Sequence, residues 1–150
     1  MMNMRFLYLL LLLFGLGVAS LSCYGGQAET FGPFAAHYNT FNTNQLTPDV
    51  ARAYGIQRSA SRALLNIAVI RQGDEDMGTP VRARVRATAT NLAGQRRDLD
   101  MREIRDQDAI YYIGVFGISN EETLNFNVSV QPMGQQQAHE FSFRQQFFTR

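Results

Sequence analysis

Alternating apolar and polar residues predict β-strands over most of the chain beyond residue 29. In residues 81–90 small apolar side chains alternate with arginine and threonine, and in residues 124–131 large apolar side chains alternate with asparagine, serine and glutamine. A period of two residues is typical of a strand with one face on the core and the other in water. Shorter segments at residues 34–39 and 141–147 extend this prediction toward both ends of the domain.

Two further segments, residues 63–70 and 109–118, are apolar at almost every position and are predicted to be interior strands. About seven strands joined by short turns indicate an all-β fold, an antiparallel β-sandwich of immunoglobulin-like size with one short helix near its start. A closed barrel is the alternative. The side chains expected between the two sheets are Val85, Met101, Ile113, Val115, Phe126, Val128, Phe141 and Phe143.

The short helix is predicted between Thr47 and Gly55. Thr47 can cap the first turn, Pro48 suits a position that needs no N–H donor, and Gly55 can adopt the left-handed conformation that ends a helix. A helix this short needs tertiary support, so we expect Val50 and Tyr54 to dock on the sheet.

The segment after residue 90 predicts a hairpin with a defined register. A loop from Leu92 to Gly94 puts a glycine where a left-handed conformation is required, and it brings Asn91 opposite Gln95. A shift of one residue would bury a carboxylate. The predicted pairs are Ala87 with Leu99 and Val85 with Met101 inside, and Thr88 with Asp98 and Arg86 with Asp100 outside.

The first 28 residues have the order of a secretory signal peptide: Arg5, then an apolar run, then small residues up to Ala28. The apolar run of about 16 residues is shorter than the roughly 20 needed to span a bilayer. We therefore expect residues 1–28 to be removed and residues 29–150 to form one periplasmic domain. The alternative is cleavage before Cys23 with lipidation of its thiol, which would give a membrane-anchored lipoprotein.

The charge and cysteine content restrict the classes of function that the chain can have. The chain has 14 basic residues, all arginine, and 13 acidic residues, and this balance gives no reason to expect nucleic-acid binding. A single cysteine excludes an internal disulfide and a multi-cysteine metal site. The row Arg82, Arg84 and Arg86 could bind an anionic lipid or glycan, but the aspartates expected on the next strand argue for neutralisation instead.

No catalytic residue, metal ligand or cofactor is predicted. His37 and His139 are the only histidines, and neither lies in a pattern that provides a nucleophile with a base. They fall on the first and last predicted strands and could be neighbours there, but Glu140, the nearest third ligand, should point to the opposite face from His139. We therefore do not expect an enzyme. A hydrolase or metal-binding protein with an unrecognised site is the alternative.

One polar set stands out near the start of the domain. Asparagine has low β-propensity, so its presence in and beside strands answers a specific need. That need is either backbone hydrogen bonding where the first strand crosses to the helix and back, or a ligand- or partner-binding site. The set consists of His37, Asn39, Asn42, Arg58, Ser59 and Asn66.

Short matches to a known family run through nearly the whole segment after residue 30. They are Phe31-Gly32, His37-Tyr-Asn39, Phe41-Asn42, Leu46, Pro48, Val50-Ala51, Tyr54, Ile56, Arg58-Ser59, Leu64-Leu-Asn-Ile67, Ala89-Thr-Asn-Leu92, Gly94-Gln95, Arg102-Glu-Ile104, Asp108-Ala-Ile-Tyr-Tyr112 and Asn120-Glu-Glu-Thr-Leu124. In these residues the chain resembles the family catalogued as domain of unknown function 4426. The resemblance implies a small exported protein of Gram-negative bacteria, and it implies no reaction, cofactor or partner.

The function predicted from the sequence is that of an exported envelope protein, a non-catalytic binding or structural β-sandwich domain. Its partner is not identified by the sequence; an envelope protein is one candidate. Membrane contact is expected only if Cys23 carries a lipid.

Overall fold

The computed structural model describes residues 27–73 and 78–150, in which two antiparallel sheets pack face to face as a β-sandwich with one short α-helix. This confirms the predicted fold class. The elements are β1 (Gln27–Phe31), β2 (Phe34–Asn42), a 3-10 turn (Thr43–Gln45), α1 (Pro48–Ala53), β3 (Arg62–Arg71), β4 (Thr79–Pro80), β5 (Ala83–Asn91), β6 (Arg96–Leu99), β7 (Arg102–Asp106), β8 (Ala109–Gly117), β9 (Glu122–Pro132) and β10 (His139–Phe147).

The strands divide into two sheets. Sheet A has the order β1-β2-β3-β8-β7, with the two-residue β4 beside the end of β3, and sheet B has the order β10-β9-β5-β6. The two nearly all-apolar segments become β3 and β8, which are interior strands of sheet A as predicted, and the structure pairs them with each other. The described residues form ten strands instead of about seven, because β1 and β4 are short additions and one predicted strand divides into β6 and β7.

The helix forms where the sequence predicts it. The Thr47 side chain accepts a hydrogen bond from the Val50 N–H at 3.3 Å, Pro48 occupies the first turn, and Gly55 has a φ of +64°. Val50 and Tyr54 pack against a buried cluster that includes Leu64 of β3 and Ile113 of β8. The helix therefore covers the outer face of sheet A, and β3 and β8 are buried on both faces.

The predicted hairpin is right at its loop and wrong beyond Leu99. Gly94 has a φ of +80°, the Asn91 N–H donates to the Gln95 carbonyl at 3.1 Å, and the pairs Ala87 with Leu99 and Thr88 with Asp98 are present. Strand β6 then ends, and the chain crosses to sheet A as β7. The predicted pairs Val85 with Met101 and Arg86 with Asp100 are therefore absent from the ladder between β5 and β6.

The crossing has a packing reason in sheet A. Met101 lies against Gly114 of β8 so closely that a Cβ on that glycine would be 2.6 Å from the Met101 Sδ. A side chain at residue 114 would exclude the methionine, so glycine there makes room for the chain to change sheets. The apolar Met101 is half-buried against the main core, and this contact replaces the predicted partner Val85.

The main core lies between the sheets and is built from alternate residues of β9. Leu124, Phe126, Val128 and Val130 are buried there, as predicted for Phe126 and Val128. Four more predicted core residues are half-buried at the margin: Val85, Met101, Phe141 and Phe143.

Ile113 and Val115 are corrections to the predicted core. They lie on the outer face of sheet A in the cluster beneath α1, not between the sheets. In β8 the residues that point to the inside are Tyr112 and Phe116, whose positions alternate with those two. A segment that is apolar on both faces gives no sequence signal to distinguish the two directions.

Aromatic side chains connect the two sheets at one margin. The Tyr38 ring of β2 lies 4.9 Å from that of Phe141 and 4.6 Å from that of Phe143, both in β10. Phe143 in turn stacks on Phe126 at 4.7 Å between ring centroids. These contacts form an apolar bridge between the sheets of the kind that a chain without a disulfide needs.

The predicted leader falls mostly outside the described residues, as does the alternative lipidation site at Cys23. Gln27 and Ala28 are described, and they belong to β1, paired with Tyr38 and His37. The predicted boundary after Ala28 therefore falls within β1. No helix among the described residues is long and apolar enough to cross a membrane.

Candidate functional site

The six polar residues singled out in the sequence fall into two separate groups. Asn39 of β2 lies directly opposite Asn66 of β3, with His37 opposite Ala68 one position further along the same face. This group is on the outer face of sheet A, beside the part that α1 covers. Asn42, Arg58 and Ser59 lie instead where β2 leads into the 3-10 turn and the chain returns toward β3.

The second group hydrogen-bonds to the backbone. Asn42 Nδ2 donates to the Phe148 carbonyl at 2.7 Å and to the Ala60 carbonyl at 3.2 Å, while Arg58 Nη2 donates to the Asn44 carbonyl at 3.0 Å. These bonds tie the loop before β3 and the carboxyl end of the chain to the end of β2. For Asn42 and Arg58 this geometry matches backbone hydrogen bonding, the first of the two interpretations raised by the sequence.

Thr43 is the residue of this crossing that sequence reasoning missed. It is fully buried; its Oγ1 donates to the Gln57 carbonyl at 2.8 Å and accepts from the Ser59 N–H at 2.9 Å. It therefore satisfies two backbone groups of a buried loop at once. A threonine between two asparagines gives no signal of burial, and only its place directly after a strand hinted at such a role.

Asn66 is the most unusual member of the first group. Its Oδ1 is buried and has no hydrogen-bond partner among the described residues. The neighbouring Asn39 and His37 side chains are exposed, so this part of the outer face of sheet A presents one amide and one imidazole to solvent beside the half-buried Asn66. Of the six residues singled out in the sequence, His37, Asn39 and Asn66 therefore lie together on one face of the sheet.

The two histidines do not share a face. His37 is exposed on the outside of sheet A, whereas His139 belongs to β10 of sheet B and stacks on Phe31 at 4.5 Å between ring centroids. His139 Nε2 lies 3.5 Å from Glu29 Oε1 across the margin of the two sheets. Glu140 has the opposite direction from His139, as predicted, and no cluster of three or more His, Cys, Asp or Glu side chains occurs within the described ranges.

A buried tyrosine connects the sheets near β7. The Tyr112 hydroxyl of sheet A accepts the Ala83 N–H of sheet B at 2.7 Å and donates to Glu103 Oε2 at 3.2 Å. Burial raises the pKa of Tyr112, and the hydrogen bond from Arg105 is the main cause that lowers the pKa of Glu103, with Arg82 adding to it. Arg82 thus forms an ion pair with Glu103 at 3.3 Å. Together, Tyr112, Glu103 and Arg82 link sheet A to the start of β5 in sheet B.

A second polar link closes one end of the sandwich. Arg97 of β6 donates to the Gly117 carbonyl and to Glu122 Oε1, both at 2.7 Å. The arginine thereby joins sheet B to the end of β8 in sheet A. It lies in an open groove of about 520 Å³ beside Asn91 and Gln95. Because Arg97 and Glu122 in this groove are already paired with each other, neither is free for a ligand.

The outer face of sheet B carries an open recess of about 960 Å³. The strand registers arrange its outward side chains in rows across β10, β9, β5 and β6. Short polar side chains and longer charged ones line the recess, together with the apolar residues Val85, Leu99, Met101 and Phe141. The first row is Arg144, Asn125, Thr90 and Arg96; the second is Ser142, Asn127, Thr88 and Asp98; the third is Glu140, Ser129 and Arg86.

The floor of this recess is not used by the protein's own hydrogen bonds. Within the described residues, the side-chain bonds at these rows lie in the first row and the β6 margin: Arg144 Nε donates to Asn125 Oδ1 at 2.7 Å, and Arg96 Nη2 lies 3.4 Å from Asp98 Oδ1. The hydroxyls and amide of the second and third rows remain available. At the crossing and in the two polar links, side-chain polar groups are hydrogen-bonded within the protein. On this surface, the hydroxyls and the amide of the floor can instead bond to a ligand.

One testable consequence concerns Tyr54, whose hydroxyl donates to Asp106 Oδ2 at 3.2 Å. Burial, together with the Asp106 carboxylate, raises the pKa of Tyr54 to about 12. The pKa of a tyrosine in the unfolded chain is about 10. The protonated Tyr54 therefore stabilises the folded state fully below pH 10, and this stabilisation is lost as the pH rises toward 12. Urea midpoints should therefore fall less between pH 9 and 11.5 in Tyr54→Phe than in the wild type; an equal fall in both proteins would contradict this.

Comparison with protein families matches residues 28–150 to the family described as a domain of unknown function, DUF4426. A crystal structure of a DUF4426 family protein from Pseudomonas aeruginosa PAO1 is similar, with 36% sequence identity and a TM-score of 0.72; the alignment covers 84% of this chain and 97% of that one. Among curated proteins, no match was found.

Two structures with low sequence identity share the fold. FetP of uropathogenic Escherichia coli, expressed in the periplasm of E. coli, matches at 10% identity and a TM-score of 0.58, over 82% of this chain and 93% of FetP. A copper-bound FetP variant matches at 9% identity and a TM-score of 0.57, over 81% and 94%. At such identities the similarity concerns the fold alone.

Proposed function

Because the chain belongs to the DUF4426 family, whose function is not defined by its name, we propose a role from its own surfaces: an exported, non-catalytic domain that binds a component of the cell envelope. The binding surface is the outer face of sheet B. The observation that carries the proposal is the recess of about 960 Å³ floored by short polar side chains on hydrogen-bonded strands.

The recess suits binding because its polar groups are positioned and unoccupied. Thr88, Asn127 and Ser129 project from two interior strands of sheet B, so their backbone positions are held by ladders on both sides. Sites built on strands are more rigid than sites on loops and lose less conformational entropy when they bind.

The same face favours binding over catalysis. A hydroxyl acts as a nucleophile when a base within hydrogen-bond distance removes its proton, and that base is most often an imidazole. His37 lies on sheet A and His139 points to the inside of sheet B, so neither ring is on this face. The carboxylates that share these rows, Asp98 opposite Thr88 and Glu140 opposite Ser129, make no side-chain hydrogen bond to the hydroxyls within the described residues. The hydroxyls of Thr88, Ser129 and Ser142 are therefore treated as ligand contacts.

Export is the second part of the proposal. It is supported by the order of positive charge, apolar run and small residues before Ala28. FetP, which shares the fold, was expressed recombinantly in the periplasm. Cleavage after Ala28 would remove two residues of β1, whereas cleavage before Cys23 would leave β1 intact. The lipid-anchored form is therefore retained as the alternative.

Intact mass spectrometry of the protein isolated from its own envelope fraction tests export. We expect the mature protein to start at Glu29, because the small residues Gly26 and Ala28 precede that peptide bond. A start at Cys23 with a diacylglyceryl mass would replace the soluble form by the lipoprotein. A chain starting at Met1 would contradict export altogether.

Metal binding is the second candidate function, and the copper-bound FetP structure is what favours it. In this chain the pair His139 and Glu29, 3.5 Å apart, could supply two ligands. Elemental analysis of the purified protein distinguishes the candidates: stoichiometric copper or zinc that His139→Phe abolishes would favour metal binding over the recess.

The binding proposal is tested by filling the recess. The tagged domain carrying Ser129→Trp should retain less envelope material than the wild type, because the indole occupies the floor. Gln57→Trp, at an exposed loop position outside sheet B, is the matched control and should behave like the wild type. Equal retention by all three proteins would overturn the assignment of this face.

A further inference from the structure

Three arginines on the outer face of sheet B lack carboxylate partners among the described residues. Among the described ion pairs, none includes Arg84, Arg86 or Arg144; the last donates to the neutral Asn125. The aspartate expected from the sequence to neutralise Arg86 is Asp100, and it is not opposite because β6 ends at Leu99. The positive charge on this face is therefore less neutralised than the sequence indicates.

The remaining ion pair on this face is weak. Arg96 and Asp98 lie 3.4 Å apart with their side chains 68% and 82% exposed. Exposed pairs of this kind contribute little and separate readily when a stronger partner arrives. Arg96 is thus a fourth arginine that a ligand can engage.

The arginines are spaced around the neutral floor instead of clustered. With about 4.8 Å between strands and about 6.8 Å between alternate residues, Arg86 and Arg144 lie roughly 16 Å apart at their Cα atoms. Between them are Asn127, Ser129 and Ser142. This arrangement fits a ligand that carries separate negative groups joined by neutral, hydrogen-bonding units.

The chemistry of the floor selects among anionic ligands. Hydroxyl and amide side chains both donate and accept, as sugar hydroxyls and acetamido groups do. An anionic membrane is disfavoured, because Glu140 and Asp98 in the recess would face its continuous negative surface. A polymer with spaced charges can place its neutral units beside those two carboxylates.

We propose that the outer face of sheet B binds an anionic amino-sugar glycan, the polymer of the cell wall, whose N-acetyl sugars meet the hydroxyl and amide floor and whose carboxylates meet Arg86 and Arg144. This inference rests on the proposed function, since it names the ligand of the same face. Arg84 and Arg96 add positive charge at the two ends. Binding should weaken as salt rises, because the arginines are exposed and screened.

Co-sedimentation of the exported protein with purified peptidoglycan sacculi tests the proposal. The wild type should sediment with sacculi in about 0.1 M salt and be released at about 1 M, where screening is nearly complete. Arg86→Glu combined with Arg144→Glu should weaken binding by about tenfold or more, a loss that corresponds to about 1.4 kcal/mol at tenfold. Arg52→Glu on α1 is the matched control, since its pair with Asp49 is exposed, and it should bind like the wild type.

Two other probes distinguish the sources of anionic charge. Chitin presents N-acetyl sugars without carboxylates, and phosphatidylglycerol vesicles present negative charge without sugars; neither should retain the protein as sacculi do. Sedimentation with vesicles alone, no binding to sacculi, or equal binding by wild type and double variant would each overturn the glycan assignment. If the protein does not sediment with sacculi while Ser129→Trp still abolishes retention of envelope material, the assignment of the binding face is kept and only the glycan assignment is wrong.

Discussion

Phe126→Ala should lower the free energy of unfolding by about 3–5 kcal/mol, the usual loss when a buried aromatic side chain leaves a cavity. Phe126 has no solvent exposure, stacks on Phe143 at 4.7 Å, and meets Phe116 edge-on at 5.5 Å. It therefore connects β9 and β10 of one sheet to β8 of the other. A domain of this size has about 5–15 kcal/mol in total, so the variant should unfold at a much lower urea concentration.

Phe148→Ala is the matched control for this prediction. Phe148 follows β10 directly and is 53% exposed. Its truncation should change the free energy of unfolding by no more than about 0.5 kcal/mol, as is usual for surface positions. A urea titration in which Phe148→Ala is as damaging as Phe126→Ala would show that the inside and outside of sheet B are assigned wrongly.

Thr43→Val should cost about 2–3 kcal/mol even though the two side chains have the same shape. The substitution removes the hydroxyl that serves both the Gln57 carbonyl and the Ser59 N–H. Leaving a buried donor or acceptor unpaired costs about 1–3 kcal/mol. Because Thr43 is fully buried, water does not replace the hydroxyl without rearrangement.

Thr30→Val in β1 is the control for Thr43→Val, since Thr30 is exposed. It should be neutral within about 0.5 kcal/mol. The readout is the difference between the two urea midpoints together with hydrogen exchange of the Ser59 amide, which should become faster in Thr43→Val only. Unchanged protection of that amide would show that Thr43 is not its acceptor.

Much of the fold could be predicted because local signals agreed with one another. The alternation in β9 put Phe126 and Val128 inside, and the cap, proline and glycine around α1 fixed both of its ends. The loop at residues 92–94, which ends in a glycine, set the register in which β5 begins to pair with β6. In each case a few neighbouring residues determine the structure without reference to distant ones.

The failures concern contacts between residues far apart in the chain. The change of sheet after Leu99 depends on the space above Gly114, and the direction of Ile113 depends on α1 covering the outer face. Neither neighbour is visible in the local pattern. The same holds for Thr43, whose partners are 14 and 16 residues away.

The candidate site shows the same limit. The sequence singled out the set from His37 to Asn66 because asparagines are unusual in strands, and it left backbone hydrogen bonding and a binding site open as interpretations. Half of that set is at the crossing, where Asn42 and Arg58 hydrogen-bond to the backbone. The recess on sheet B is made of serine, threonine and asparagine that look ordinary in alternating strands. Only the strand registers bring Thr88, Asn127 and Ser142 into one row.

The most direct test of the account is photo-crosslinking in living cells, with a crosslinking residue at position 129 on the floor of the recess or at position 52 on α1. Both positions lie in the full-length exported protein, so the two variants differ only in the face that carries the probe. We expect high-mass products from position 129 and none above background from position 52, because the outer face of sheet B is assigned as the binding surface. Products from position 52 alone, or equal products from both positions, would contradict that assignment.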